Sequence, residues 1–198
     1  MVDTVRYYVA LLVLLALPPG LMLWYAIHPF VHFWRRLGPV WTYVVLSVPS
    51  IGLSVLMFLA RATLLATEFG TRYALAALGV LCLVAAGRLR LLIREQASLW
   101  LISGLPELAP DRQASGLLSE GIYARIRQPR YVQIALALLG WTLVANYLAT
   151  YVVLAVWLAA IYPIVALEER ELRERFGEAY VAYARRVPRF VPGFGRAR

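Results

Sequence analysis

The feature that most constrains this chain is the length of its apolar runs. Stretches of about 20 residues pass with scarcely a charge, long enough as helix to cross roughly 30 Å of hydrocarbon. In a soluble domain such runs are broken at the period of an amphipathic helix or strand, and here they are not. Of 198 residues, 62% are hydrophobic and 16% charged. The pattern predicts an all-α polytopic membrane protein of about five transmembrane helices. The expected spans cover residues 5–27, 40–60, 73–93, 131–145 and 147–167, with a kink at Pro18 and Pro19 in the first. No small-x-small cleavage site follows the first run, so an uncleaved span is expected. The connection at Asn146 is so short that the last two spans must form an antiparallel hairpin.

The net charge of +9 comes from 20 arginines without a single lysine. In a soluble protein that excess would suggest nucleic acid as a partner. Here the arginines sit at span ends, which is the pattern of positive-inside topology and contact with anionic headgroups; no nucleic-acid partner is expected. Placing the first and third loops and the tail inside puts 17 arginines on that side. Only Arg6, Arg61 and Arg72 fall outside. With five spans, the expectation is an N-terminus outside and a cytoplasmic C-terminus, in a prokaryotic plasma membrane. Oligomeric state is not legible.

The chain divides into residues 1–95, carrying the first three spans, and residues 96–198, which hold a polar loop, the hairpin 131–167 and a charged C-terminal part. In that part Leu172, Phe176, Tyr180, Tyr183 and Val187 recur at spacings of three or four. This predicts one amphipathic helix with an apolar face, ended by Pro188. The lone Cys82 lies in an apolar run and excludes an internal disulfide. His28 and His32 flank Pro29, which argues against one shared helix face, and no metal site is expected.

Span interiors are nearly free of charge, unlike those of a transporter. Polar density gathers at the two ends of the hairpin. Before it runs Glu120-Gly-Ile-Tyr-Ala-Arg-Ile-Arg-Gln-Pro-Arg-Tyr131, and after it Glu168-Glu169-Arg170-Glu171. An antiparallel hairpin brings its ends together, so one pocket can hold tyrosines, arginines and a carboxylate pair. Arginine and tyrosine are equally ordinary interface anchors, and Glu–Arg pairs at i,i+4 occur on any helix.

The ordered set of fragments adds a resemblance. Gly121-x-Tyr123-x-x-x-Arg127-x-Pro129-x-Tyr131, then the hairpin, Glu168-Glu169-x-x-Leu172, Phe176-Gly177-x-x-Tyr180-x-x-Tyr183 and Val187-Pro188-x-Phe190-x-Pro192 together resemble the isoprenylcysteine carboxyl methyltransferase family. More loosely they are similar to the membrane phospholipid methyltransferases. The resemblance covers residues 116–193. It implies an S-adenosylmethionine-dependent methyltransferase acting on a lipophilic or small-molecule acceptor that enters from membrane lipids.

Under that resemblance the catalytic positions are Arg127, Gln128 and Glu168. The cofactor would meet Tyr123, Arg127, Gln128, Tyr131, Glu168, Glu169, Tyr180 and Tyr183. The chemistry suits it: a carboxylate can accept from the cofactor's ammonium or ribose, and Arg127 can pair with its carboxylate. Tyr123 and Tyr131 offer ring faces to the sulfonium or adenine. Three positions depart from the family. Gln128 replaces a histidine, and an amide cannot take up a proton. Gln133 stands where a small residue is common. Ile164-Val165-Ala166-Leu167 lacks the arginine that precedes the glutamate pair in carboxyl-methylating members. A non-catalytic member of the fold, binding a lipid or a partner protein, is the alternative. A membrane reductase of the sterol type shares the Tyr/Val-Pro cadence, but such enzymes are longer.

Overall fold

The computed structural model describes residues 1–27, 29–94 and 116–191. Residues 95–115, the larger part of the polar loop expected over 96–128, lie outside the described residues, as do His28, the residues from Pro192 onward and the side chain of His32.

The fold is all-α. α1 (Val2–Ile27) runs without a break through Pro18 and Pro19. A short α2 (Val31–Leu37) leads through Gly38 into α3 (Pro39–Leu59), which has its proline at the favoured first position. α4 (Arg61–Leu64) is one turn, and α5 (Tyr73–Arg94) follows. A 3₁₀ turn, Gly121–Ala124, precedes α6 (Pro129–Ala145), α7 (Leu148–Phe176) and α8 (Glu178–Arg186). Among the described residues there is no strand, and a lone antiparallel bridge joins Glu68 to Tyr147.

α1, α3, α5 and α7 are long and apolar enough to cross a membrane. α6 is apolar but has 17 residues, about 25 Å of helix. The chain is an integral membrane protein, with four such helices and a shorter apolar fifth among the described residues. α7 is the surprise in length. Its 29 residues make about 43 Å, so it continues some 13 Å past the hydrocarbon thickness with Glu168 and Glu169 on the extension. The single amphipathic helix expected beyond residue 168 is in fact two. Gly177, at φ 56°, breaks it between α7 and α8. Its apolar face survives the break: Leu172 and Phe176 on α7 pack against Tyr180, Tyr183 and Val187.

The hairpin turns at Asn146, which adopts the left-handed conformation (φ 58°) that Asn tolerates. The segment before α5 clamps this turn. Asn146 Nδ2 donates to the Gly70 carbonyl at 2.9 Å, and Phe69 N–H donates to the Asn146 carbonyl at 3.1 Å. Buried Arg6 donates through Nε to the Ala145 carbonyl at 3.1 Å and pairs with Asp3 at 2.9 Å. It thereby satisfies a carbonyl that the end of α6 leaves open. α6 packs most extensively on α5, across the division drawn at residue 95. Contact there depends on glycine, since a Cβ on Gly79 would stand 2.7 Å from the Gly140 carbonyl oxygen. Small residues let membrane helices approach this closely. The core between α1, α6 and α7 centres on Val13, Leu138, Trp157 and Ile164, with Tyr131 at one end.

Candidate functional site

The end of the bundle opposite the Asn146 turn holds a cleft of about 250 Å³. Three pieces of chain build it. The first is the approach to α6. The 3₁₀ turn at residues 121–124 buries Ile126 and brings Tyr123 inward, and Pro129 then starts α6 directly after the buried Gln128. The second is the projecting part of α7. The third is α8 and the tail, which folds back on the first piece: Arg127 N–H donates to the Pro188 carbonyl at 2.9 Å, and Gln128 N–H to the Arg189 carbonyl at 3.0 Å.

Tyr123, Arg127, Gln128, Tyr131, Glu168, Tyr180 and Tyr183 all line this cleft. Glu169, the eighth residue singled out, does not. It is 1% exposed and turned into the protein, where Arg189 grips both its oxygens at 3.0 and 2.6 Å and Arg127 Nη1 lies 3.4 Å away. A carboxylate engaged in this way is committed to the fold. Glu168 faces the cleft and accepts a hydrogen bond from the Tyr131 hydroxyl.

The sequence places Arg130 and Glu171 in the polar runs at the hairpin ends without a role for either, and gives no sign of Arg175 or Arg189. The first three line the cleft. Arg130 sits 5.3 Å above the Trp24 ring, and Trp24 meets Tyr131 edge-on at 5.5 Å. Arg189 occupies the unspecified place in Val-Pro-x-Phe, so the motif itself gave no sign of it. Its partner Glu169, a second acid beside Glu168 in a segment leaving the membrane, was the available signal.

Burial dominates the electrostatics of the tyrosines. It raises the Tyr123 hydroxyl above the ordinary tyrosine range, with Arg130 opposing and Glu168 reinforcing. Burial also raises Tyr180, where Glu169 adds to the effect and Arg127 opposes it. Tyr183 is pushed up to about 12, again chiefly by burial, and its hydroxyl donates to the Tyr123 carbonyl at 2.7 Å. All three are neutral at physiological pH, serving as donors and ring faces and not as bases. Arg189 is held above the usual arginine value by its hydrogen bond to Glu169.

The donor set fits a zwitterionic, partly aromatic ligand. The lining offers cations (Arg127, Arg130, Arg175), carboxylates (Glu168, Glu171) and tyrosine rings. Among the described residues Arg127 Nε and Tyr180 Oη, buried side by side, make no well-formed hydrogen bond to a third group, and buried polar groups of this kind can be completed by a ligand. No group of three or more His, Cys, Asp or Glu residues suited to a metal occurs among the described residues.

Comparison with known proteins agrees with this arrangement. Over 82 residues the chain is 38% identical to the cobalt-zinc-cadmium resistance protein CzcN of Cupriavidus metallidurans. The match covers 41% of this chain and 38% of that relative. No solved structure matches. A family model, that of the phospholipid methyltransferases, matches residues 74–179, from α5 to the start of α8 and so across two of the three segments that wall the cleft, the approach to α6 and the projecting part of α7; the chain belongs to the phospholipid methyltransferase family.

Proposed function

We propose that this protein transfers a methyl group from S-adenosylmethionine to a lipophilic or small acceptor at the membrane face bearing the cleft. The observation that carries the reading is the gathering of seven of the eight singled-out residues on one cleft, five of them (Tyr123, Arg127, Gln128, Tyr131 and Glu168) within the matched family region. When bound, the cofactor supplies an electrophilic methyl; the acceptor's lone pair forms the new bond as the carbon–sulfur bond breaks, and S-adenosylhomocysteine leaves as a neutral thioether.

The chain's own residues hold and orient. Arg127 pairs with the cofactor carboxylate, and Glu168, fixed by Tyr131, accepts from its ammonium or a ribose hydroxyl. Tyr123, Tyr180 and Tyr183 give ring faces and keep water from the reacting centre. Alignment and dryness are what an in-line displacement requires, and an acceptor that arrives deprotonated needs no residue of the wall to take a proton. Gln128, at 7% exposure, serves as a hydrogen-bonding residue of the wall. With the N-terminus outside, the cleft faces the cytoplasm, where the cofactor is made.

A second reading is favoured by Gln128 standing where a titratable histidine is common: a member that binds cofactor or lipid without transferring a methyl group. Titration of the detergent-purified chain with S-adenosylhomocysteine tests the common step. At a hundred times its Kd the ligand stabilises the fold by about 2.7 kcal/mol. Absence of heat and of thermal stabilisation at millimolar ligand refutes methyl transfer and cofactor binding alike and leaves a member that binds lipid or a partner protein. Binding without labelled methyl transfer to a native lipid extract selects the second.

A further inference from the structure

Arg6 is a buried cation that the cleft does not use. It lies at the end of the bundle away from the cleft, and its neighbours hold most of its donor edge. Nε donates to the Ala145 carbonyl at 3.1 Å, and Nη1 to Asp3 at 2.9 Å and Thr71 at 3.1 Å. Nη2 is buried and makes no hydrogen bond among the described residues; Glu68 stands 3.5 Å from it as an ion pair. Arg6 also lines a hollow of about 190 Å³. α1 and α5 both pack on α6, and the hollow lies between them, with Val5 on one side, Arg72, Tyr73 and Ala76 on the other and Val144 behind. Val5 and Tyr73 are 54% and 77% exposed, so it opens sideways on the flank of the bundle.

Of the three arginines expected on this side of the membrane, Arg6, Arg61 and Arg72, two meet at this hollow. The Arg72 guanidinium is exposed and has neither an ion-pair nor a hydrogen-bond partner among the described residues. Thr71 is spent on Arg6 and on Asp3, to which it donates at 2.8 Å. Asp3 and Glu68 both pair with Arg6, and neither acid lines the hollow. Arg72 is therefore the cation left without compensation at its rim.

We propose that this hollow seats the phosphodiester of a phospholipid from the leaflet away from the cleft, held between Arg72 and the Nη2 edge of Arg6. The first chain carbons then lie against Val5, Ala76 and Val144. The volume is well below the roughly 300–1,000 Å³ of a site that encloses a whole small ligand, so it suits one group of a molecule whose remainder lies outside. A lateral opening at the span ends lets that remainder stay in the bilayer. Arginine's fork of donors matches paired phosphate oxygens. Nη2 gains the acceptor it lacks, and a buried donor left unmet is costly. The bound lipid reinforces the tie between α1 and the segment before α5, beside the Asn146 turn. This site is separate from the cleft and does not depend on methyl transfer.

The test titrates the full chain, purified in dodecyl maltoside, with phosphatidylglycerol and with diacylglycerol of the same chains. Native mass spectrometry counts the lipid retained. Phosphatidylglycerol is expected to bind about tenfold more tightly, the scale of one charge-assisted hydrogen bond. Arg72→Gln, at an exposed position, removes most of that preference. Ala76→Trp fills the hollow and removes one retained lipid; Val5→Trp, from the opposite and exposed wall, repeats the result if the first variant does not fold. Arg185→Gln combined with Arg186→Gln, at the other end of the bundle, changes the preference little. Equal binding of the two lipids, or a loss as large in that double variant as in Arg72→Gln, overturns the assignment and leaves diffuse charge attraction. Displacement of the lipid by millimolar inorganic phosphate also overturns it and makes the occupant a soluble anion.

Discussion

Arg189→Met isolates the contact on which the cleft wall depends. The substitution keeps most of the aliphatic stem and deletes the guanidinium that holds Glu169 at 2.6 and 3.0 Å. Glu169 has a side chain only 2% exposed, and removing one partner of a buried pair costs about 3–5 kcal/mol because a charge is left without compensation. Two features put this case at the lower end. Arg189 is 25% exposed, and Arg127 remains 3.4 Å from the carboxylate. A loss of about 3 kcal/mol lowers Tm by about 6–12 °C for a chain of this size. Adding Glu169→Gln removes the stranded charge, so the double variant should recover about 1–2 kcal/mol of that loss, as expected for coupled neighbours. Thermal unfolding in detergent, followed by circular dichroism, reads both differences. A double variant no more stable than Arg189→Met would refute the claim that an uncompensated carboxylate is the source of the cost.

Tyr131→Phe keeps the ring against Trp24 but loses the hydrogen bond to Glu168, and should weaken S-adenosylhomocysteine binding about tenfold or more by titration with little change in Tm. Alkaline pH should destabilise the fold in a defined window. Tyr183 titrates near 12 when folded and near 10 when unfolded, so its contribution is complete below about pH 10 and is lost as pH rises toward 12; Tyr183→Phe should flatten that decline in denaturant titrations. Gly79→Ala drives a Cβ to 2.7 Å from a backbone oxygen of α6, and the α5–α6 contact should lose about 1–3 kcal/mol, read as a lower Tm.

Apolar run length revealed the helices, and the short connection at Asn146 revealed the hairpin, because both follow from local chain physics. Convergence of the lead-in and α7 on one cleft followed in turn from the antiparallel hairpin, whereas the place of α8 there was implied only by the family resemblance. Three things were hidden. The break at Gly177 was masked by an apolar spacing that continues across it, since Leu172, Phe176, Tyr180 and Tyr183 form the same cluster whether the helix is one piece or two. Arg130 was hidden because its place on the cleft wall is set by Trp24 of α1, a property of helix packing that no spacing encodes. Arg6 reads in sequence as an ordinary arginine near a helix start, yet it is 3% exposed and caps the far end of α6. Its role needs a partner 139 residues away.

The twin glutamates show why adjacency in sequence misleads here. Neighbours on an α-helix point about 100° apart, so Glu168 and Glu169 cannot serve one small ligand together unless the helix unwinds, and α7 remains helical through both. One must face the cleft and the other the tail. The tail settles which: backbone hydrogen bonds from residues 127 and 128 to residues 188 and 189 bring Arg189 against Glu169, leaving Glu168 to the cleft. A combined Glu168 and Glu169 substitution would therefore mix a loss of ligand contact with a collapse of the wall. Glu168→Gln alone should abolish or sharply weaken S-adenosylhomocysteine binding at unchanged Tm, whereas Glu169→Gln should lower Tm first and affinity only through the displaced Arg127. If the two single variants prove indistinguishable in both measurements, the division of labour between neighbouring carboxylates is wrong.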